Sequence, residues 1–397
     1  MTGTPAQRQP RPEFSLVRGG PLYRMALALA PTRGSASSTA FAAVWLAVVC
    51  WLPLVVLSTW NGEHLPGSRL PSVLTDVESY ARFVIAVPVL VFAELQAGRV
   101  LGIIVRHLET SGIVPADQKG ALRTLIDRAI KRRDSWPVEV VLILLAAASA
   151  IVSYLRFESN PIRQWQVQQA APGSVLSPEG WWFVVVSVPI SRLLVLRWFW
   201  RLGIWWAFLR GVGRLKLRLV ASHPDQAGGL GILKLGPVAF SLAVLGMATV
   251  FAGTLYHVVH AGEVAPDSLK IIIPAYVVSV VILFTLPNLA LAGALIRTRM
   301  QAELQYGTLT HAIGGALEDK WMPKAAQAGK DGLEAPDFSA TTDLESITSN
   351  VYRMNVVPFR RFSLAPLVAA AATPPLLVAA TVYPLAEIFK TFMKFVV

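Results

Sequence analysis

Charged residues are scarce in this chain. Of its 397 residues only 15% are charged, whereas 54% are hydrophobic; an average soluble protein is about 25% charged. A chain with so few charges cannot cover a water-soluble surface, so the composition predicts an integral membrane protein.

Cysteine and acidic residues are also sparse. The single cysteine, Cys50, excludes an intrachain disulfide and carries no information on the redox compartment. The 24 acidic residues are outnumbered by 36 Lys and Arg, for a net charge of +12. Because the basic residues lie between long apolar segments and not along one soluble face, they predict membrane topology and no nucleic-acid partner.

Motifs of soluble and metal-dependent enzymes are missing. The sequence has no G-x-S-x-G elbow, no H-E-x-x-H, no cysteine cluster and no aspartate-rich pair of the kind that holds Mg²⁺. It therefore predicts no catalytic residue, no cofactor and no firm metal site.

Long apolar runs are abundant. A spanning helix needs about 20 apolar residues, and seven segments qualify: 39–60, 83–105, 137–154, 181–200, 237–258, 271–291 and 363–383. The expected fold is an all-α, polytopic membrane protein with seven transmembrane helices over residues 36–397. The apolar piece "MALALA" is too short for a cleavable signal peptide. Residues 1–35 are expected to form a basic, poorly ordered tail.

The basic residues predict the orientation of these spans. With the N-terminus inside, 28 Lys and Arg fall in cytoplasmic segments and 7 fall outside, while Arg192 lies within a span. Basic residues near span ends are retained in the cytoplasm, so the N-terminus is expected inside and the C-terminus outside.

A helical layer is expected on the cytoplasmic side, near 119–135, 201–219, 297–315 and 342–357, with a flexible loop near 318–341. Apolar stripes mark the first and last of these helices, the other two are inward extensions of the fourth and sixth spans, and Thr342 with Glu345 forms a capping box. The basic helices are expected to meet anionic lipid headgroups. The fourth span is interpreted as one helix leaving the membrane near Arg201, with a separate interfacial helix after Gly203 as the alternative.

Polar and helix-breaking residues within the spans are the candidates for a pore or gate. Glu94 and Arg192 each lie 11 residues into a span, so they are expected at similar depth and in reach of an ion pair. A structural pin, a gating role and no contact all remain open. Prolines interrupt several spans and can free carbonyls or merely shape packing; the remaining candidates are Asn288, Thr373, Pro374 and Pro375.

Two further groups carry polar side chains. At the outer end of the fifth span, His257, His260 and Glu263 form a weak candidate metal site, with an ordinary polar edge as the alternative. Before that span, "SHPDQAGGLGIL" joins a histidine, a proline and an aspartate to three glycines. The pattern fits no phosphate-binding loop and predicts a cytoplasmic turn whose residues can contact a partner: His223, Asp225, Gly228, Gly229 and Gly231.

Two resemblances bear on the fold. The segments "ARFVIAVPVLVFAE", "RLKLRLVASHPDQAGGLG" and "NVYRMNVVPF" resemble a group of uncharacterised polytopic proteins of the bacterial inner membrane, which implies that location and no activity. Lys216 departs from the acid expected there. The layout alone is similar to insect odorant and gustatory receptors, which are tetrameric cation channels whose last helix lines the pore.

The leading functional hypothesis is a homo-oligomeric channel or receptor-like channel, with a tetramer favoured. A secondary transporter with Glu94, Arg192 and Asn288 at a midplane site is the first alternative. A membrane sensor or scaffold without catalytic activity is the second.

Overall fold

The computed structural model describes residues 35–61, 72–159, 167–170, 173–323, 336–358 and 361–384, and these form a predominantly helical protein. The helices are α1 (Ser35–Trp60), α2 (Val77–Thr110), α3 (Lys119–Arg133), α4 (Trp136–Ser159), α5 (Pro178–Val212), α6 (Leu235–His260), α7 (Leu269–Thr285), α8 (Ala292–Trp321), α9 (Pro336–Tyr352) and α10 (Ala365–Ala379). A short antiparallel hairpin, β1 (Val167–Ala170) and β2 (Gly173–Leu176), precedes α5 and qualifies the all-α prediction.

Six of the described helices or continuous helical runs are long and apolar enough to cross a membrane. The number becomes seven if α3 and α4, which meet at a 41° bend, together count as one span. This architecture is that of a multi-pass membrane protein.

Helix α6 is the most buried of the spanning helices and packs extensively against both α2 and α10. Small residues allow the close approach of α2. A Cβ on Gly246 would lie 2.7 Å from Leu90 Cγ, and one on Gly253 would lie 2.9 Å from Ala81 Cβ. Helices in membranes commonly pack through such small residues.

Two helices are widened at matching places. The π-helical segment Tyr80–Ala86 in α2 ends two residues before Pro88, and the π-helical segment Phe183–Ser187 in α5 ends two residues before Pro189. A proline has no N–H and crowds the carbonyl four residues earlier, so a wider turn just before it relieves the crowding. Phe83 and Phe183 from these two segments meet edge to face, with ring centroids 5.7 Å apart.

The fourth span is one helix, as predicted, because α5 runs without a break past Gly203 to Val212. The helix expected near 201–219 therefore ends earlier than its pattern suggested, and Arg214–Val220 carries no helical assignment. The sixth span continues, also as predicted, through the 3-10 turn Leu286–Leu291 into α8.

The other boundaries differ from expectation. Helix α9 begins at Pro336, so Thr342 lies inside it and its hydroxyl donates to the Phe338 carbonyl; the predicted capping box is not formed. The flexible loop expected near 318–341 is partly helical, because its residues up to Trp321 belong to α8 and those from Pro336 belong to α9. Residues 324–335 lie outside the described residues. Nearly all of the expected N-terminal tail also lies outside them.

Candidate functional site

A buried ionic cluster joins three spans. Glu94 of α2 accepts a 2.6 Å hydrogen bond from Arg201 Nη2 of α5, and Arg197 Nη1 lies 3.9 Å from the same carboxylate oxygen. Arg197 Nε also lies 3.7 Å from Glu139 Oε1 of α4. Two acids and two bases thus balance one another where burial makes an uncompensated charge costly.

The ion pair that the sequence allowed between Glu94 and Arg192 is not seen among the described interactions, in which Arg201 and Arg197 lie against the Glu94 carboxylate. Arg192 and Arg201 are nine residues apart, about two and a half turns of helix, and therefore point to opposite sides of α5. Arg192 Nη1 instead donates to the Ser149 carbonyl of α4 at 3.0 Å. Arg201, expected at the lipid interface, is only 5% exposed.

The cluster includes the end of α4 that is predicted to be cytoplasmic. Glu139 is only three residues into α4, about 4.5 Å along the axis, and it is linked to Glu94 through Arg197. The cavity beside the cluster measures about 20 Å³, which is room for a water and not for a solute. The arrangement of the ionic cluster favours a structural role, in which the cluster pins α2, α4 and α5 together.

The remaining pore candidates are dispersed. Asn288 is 1% exposed in the 3-10 turn before α8, and among the described residues its Oδ1 has no hydrogen-bond partner. Pro374 and Pro375 are buried within α10. Thr373 is exposed, and its hydroxyl donates to the Ala369 carbonyl. The three residues proposed for a midplane transport site, Glu94, Arg192 and Asn288, make no direct contact with one another in the interactions seen here.

The histidines at the C-terminal end of α6, predicted to be its outer end, are not gathered around a common point. His260 Nδ1 bonds the Tyr256 carbonyl and its ring stacks on Tyr256, while Glu263 is exposed. Among the residues described, no group of three or more His, Cys, Asp or Glu side chains is placed to hold a metal ion.

Asp225 organises the loop "SHPDQAGGLGIL". Its Oδ1 accepts from the backbone N–H groups of Ala227 at 2.8 Å and Gly229 at 3.2 Å, and its Oδ2 accepts from Gly231 N–H at 2.8 Å. His223 Nδ1 lies 2.9 Å from Oδ1. Burial opposes ionisation, but the three backbone donors and His223 outweigh it and hold the pKa of Asp225 below its ordinary value.

This geometry explains why glycine stands at three positions of the loop. Gly228 and Gly229 have φ of +64° and +96°, in the left-handed region that favours glycine. A Cβ on Gly231 would lie 2.8 Å from both Cβ and Oδ2 of Asp225. The glycines therefore let the backbone fold tightly around one carboxylate.

Three stretches of the chain meet here: the loop with the residues just before it, the turn after α2 and the chain after α9. Arg218 N–H bonds the Ile113 carbonyl after α2, Val220 N–H bonds the Gly228 carbonyl, and Asn355 N–H bonds the Gln226 carbonyl at 2.7 Å. Together they enclose a pocket of about 740 Å³, within the range of small-molecule sites. Its lining includes the polar or charged side chains of His107, Ser111, Arg218, His223, Asp225, Lys234 and Asn355.

Basic side chains outnumber acidic ones among the described lining residues of the pocket. Within the described ranges, no ion pair engages the side chains of His107, Arg218 or Lys234. The one acid among the described lining residues, Asp225, is already surrounded by donors. This pocket can therefore bind an anion.

Sequence reasoning identified the loop but missed most of the pocket. His107, Arg218, Lys234 and Asn355 are separated by up to 248 positions, and no spacing pattern connects them. The available signal was local: Arg218 and Lys234 flank the glycine-rich loop at the predicted cytoplasmic surface.

Comparison with protein-family models, with curated protein sequences and with solved structures finds no match to this chain. The chemistry of the pocket is therefore the firmest guide to function.

Proposed function

We propose that this chain is a seven-span protein of the bacterial inner membrane, N-terminus inside and C-terminus outside, that works as a receptor-like channel controlled by an anionic ligand on its cytoplasmic side. The excess of Lys and Arg in alternate segments supports the orientation. The bent α3–α4 pair supports the seventh span.

The observation that carries the proposal is that the chain entering the last helix is a wall of the pocket. Asn355, Val357 and Pro358 line it, and Asn355 is bonded directly to the loop at Gln226. Met354 Cε packs so close to Gly228 that an added Cβ would lie 3.2 Å away. A ligand held here contacts the segment that positions α10, and α10 packs on α6 and α7.

The outward face of α10 supports a homo-oligomer, with a tetramer as the proposed form. Ala365, Ala369, Thr373 and Leu377 recur every four residues on this face and are exposed in the single chain. In a tetramer with α10 at its axis, Thr373 supplies a hydroxyl to a narrow passage, and Pro374 with Pro375 bends the helix beside it.

The experiment is ion flux through purified protein in liposomes. We expect wild-type flux, strong reduction by Thr373→Trp, and little change with Ile282→Trp, a matched substitution on α7 at a side chain 58% exposed. A monodisperse monomer without flux under any ligand condition contradicts the channel.

A sensor without conduction is the second candidate, and α3 favours it. This helix buries Leu122 and Ala129 and packs on α5, while Arg123, Arg128, Lys131 and Arg132 stay exposed. Trp136, 54% exposed at the bend into α4, suits a membrane interface. Anionic headgroups are the proposed partners of this face. Ligand binding without flux in the liposome experiment selects the sensor.

A further inference from the structure

We propose that the pocket around Asp225 binds a phosphomonoester group, carried either by a soluble organic phosphate or by a lipid headgroup. This inference rests on the pocket being the ligand site of the proposed function, but it does not require that the protein conducts ions.

The charge around the pocket matches a dianion. Arg218 and Lys234 come from opposite sides of the loop, and His107 reaches it from the end of α2. A phosphomonoester carries about −1.5 to −2 charges near neutral pH and three acceptor oxygens. Arginine binds such a group through two parallel hydrogen bonds, and lysine through a point charge.

The negative charge of Asp225 is partly offset by the donors of its own loop. Both of its oxygens accept backbone hydrogen bonds, and His223 lies against one of them. The carboxylate thus fills the turn that the glycines create, where it fixes the pocket wall. The ligand is left to the side chains of Arg218, Lys234, His107 and Ser111.

The size and the apolar lining point to an organic phosphate. A volume of about 740 Å³ far exceeds a phosphate ion, and Ile113, Ile232, Val357 and Pro358 supply apolar walls. Lys234 lies immediately before α6, a spanning helix, so the pocket is next to the predicted membrane surface. A lipid headgroup and a soluble ester both reach such a place.

Full-length protein in nanodiscs tests the inference. Glycerol 3-phosphate is titrated by calorimetry into discs of neutral phosphatidylcholine, with glycerol as the control lacking phosphate. In a second arm, phosphatidic acid replaces part of the neutral lipid and the thermal unfolding temperature is measured. The two probes present the same phosphomonoester without and with acyl chains.

The variants are Arg218→Gln and Lys234→Gln, and the matched control is Arg214→Gln, an exposed arginine four residues before Arg218 that does not line the pocket. We expect each pocket variant to bind the phosphomonoester with about tenfold lower affinity than wild type. In the first arm this appears as weaker binding of glycerol 3-phosphate, and in the second as a smaller rise of the unfolding temperature with phosphatidic acid. The control should match wild type. Two variants on separate segments keep the test decisive if one fails to fold.

Binding in the first arm identifies a soluble ester, and stabilisation in the second arm alone identifies a lipid. Failure of both probes, or equal effects on wild type and both pocket variants, overturns the inference. Phosphate binding without ion flux supports the phosphomonoester site and contradicts the channel. Ion flux without phosphate binding supports the channel and contradicts the phosphomonoester site.

Discussion

The ionic cluster in the helices and the pocket around Asp225 handle charge in opposite ways. In the cluster, Glu94 and Glu139 are matched by Arg201 and Arg197, and all four are buried or nearly so. In the pocket, the acid is enclosed by donors of its own loop, while Arg218 and Lys234 face the cavity.

This difference separates structural charge from charge available for binding. Inside the bundle, burying an unpaired charge has a large free-energy cost, so the charges of the cluster pair with one another. At the predicted cytoplasmic surface, water solvates an unpaired cation until an anionic ligand displaces that water. Ionisable groups inside a span are therefore weaker pointers to function here than those beside the loop.

The largest expected effect comes from breaking the cluster. Arg201→Met leaves Glu94 buried with only the more distant Arg197, and we expect the free energy of unfolding to fall by about 3–5 kcal/mol. Unfolding in detergent measures it. Replacing both partners, Glu94→Met with Arg201→Met, should recover part of the loss; a double variant less stable than the single one would show that the two charges are not coupled.

The next effect concerns the loop backbone. Gly231→Ala pushes a methyl group against the Asp225 carboxylate, and we expect a loss of about 1–3 kcal/mol. Gly203→Ala is the matched control, because a Cβ on Gly203 meets nothing within 4 Å. Equal stability of the two variants would contradict the tight packing of the loop.

Asp225→Asn tests whether the charge of the carboxylate holds the loop together. We expect a loss of about 1–2 kcal/mol at neutral pH, since an amide offers one acceptor oxygen in place of two. The pKa of Asp225 is lowered in the folded protein, so its contribution is complete above the ordinary value of about 3.9 and disappears as pH falls through the folded value. The stability difference between wild type and variant, measured from pH 7 downward, should shrink only below that ordinary value.

The smallest effect is expected at Lys216, which belongs to neither region. Lys216→Asp reverses the charge of a side chain that is exposed. We expect stability to change by less than about 0.5 kcal/mol. A larger change in the thermal unfolding temperature would indicate that this segment pairs with a charge elsewhere in the protein.

The helices were predictable because a bilayer imposes a length that apolar runs reveal directly. The partner of Glu94 was not predictable, since a count of residues from the start of each span gives a depth and does not say which face of α5 turns toward α2. Arg192 and Arg201 lie on opposite faces of α5, and the face that carries Arg201 and Arg197 meets Glu94.

For the loop, Pro224, Asp225 and the glycines predicted a turn, which the structure has. The pocket could not be predicted, because its walls depend on where the ends of α2, α6 and α9 meet after folding. Asn355 and His107 carry no local pattern that assigns them to a common site.

The two widened turns also have a consequence for protein engineering. A π-turn holds one residue more than an α-turn, so each segment behaves as a single-residue insertion that the helix has absorbed. Deleting Val185 would return that turn to α pitch and swing the start of α5 by about 100°, turning the hairpin β1–β2 away from its present neighbours while the ionic cluster stays in register.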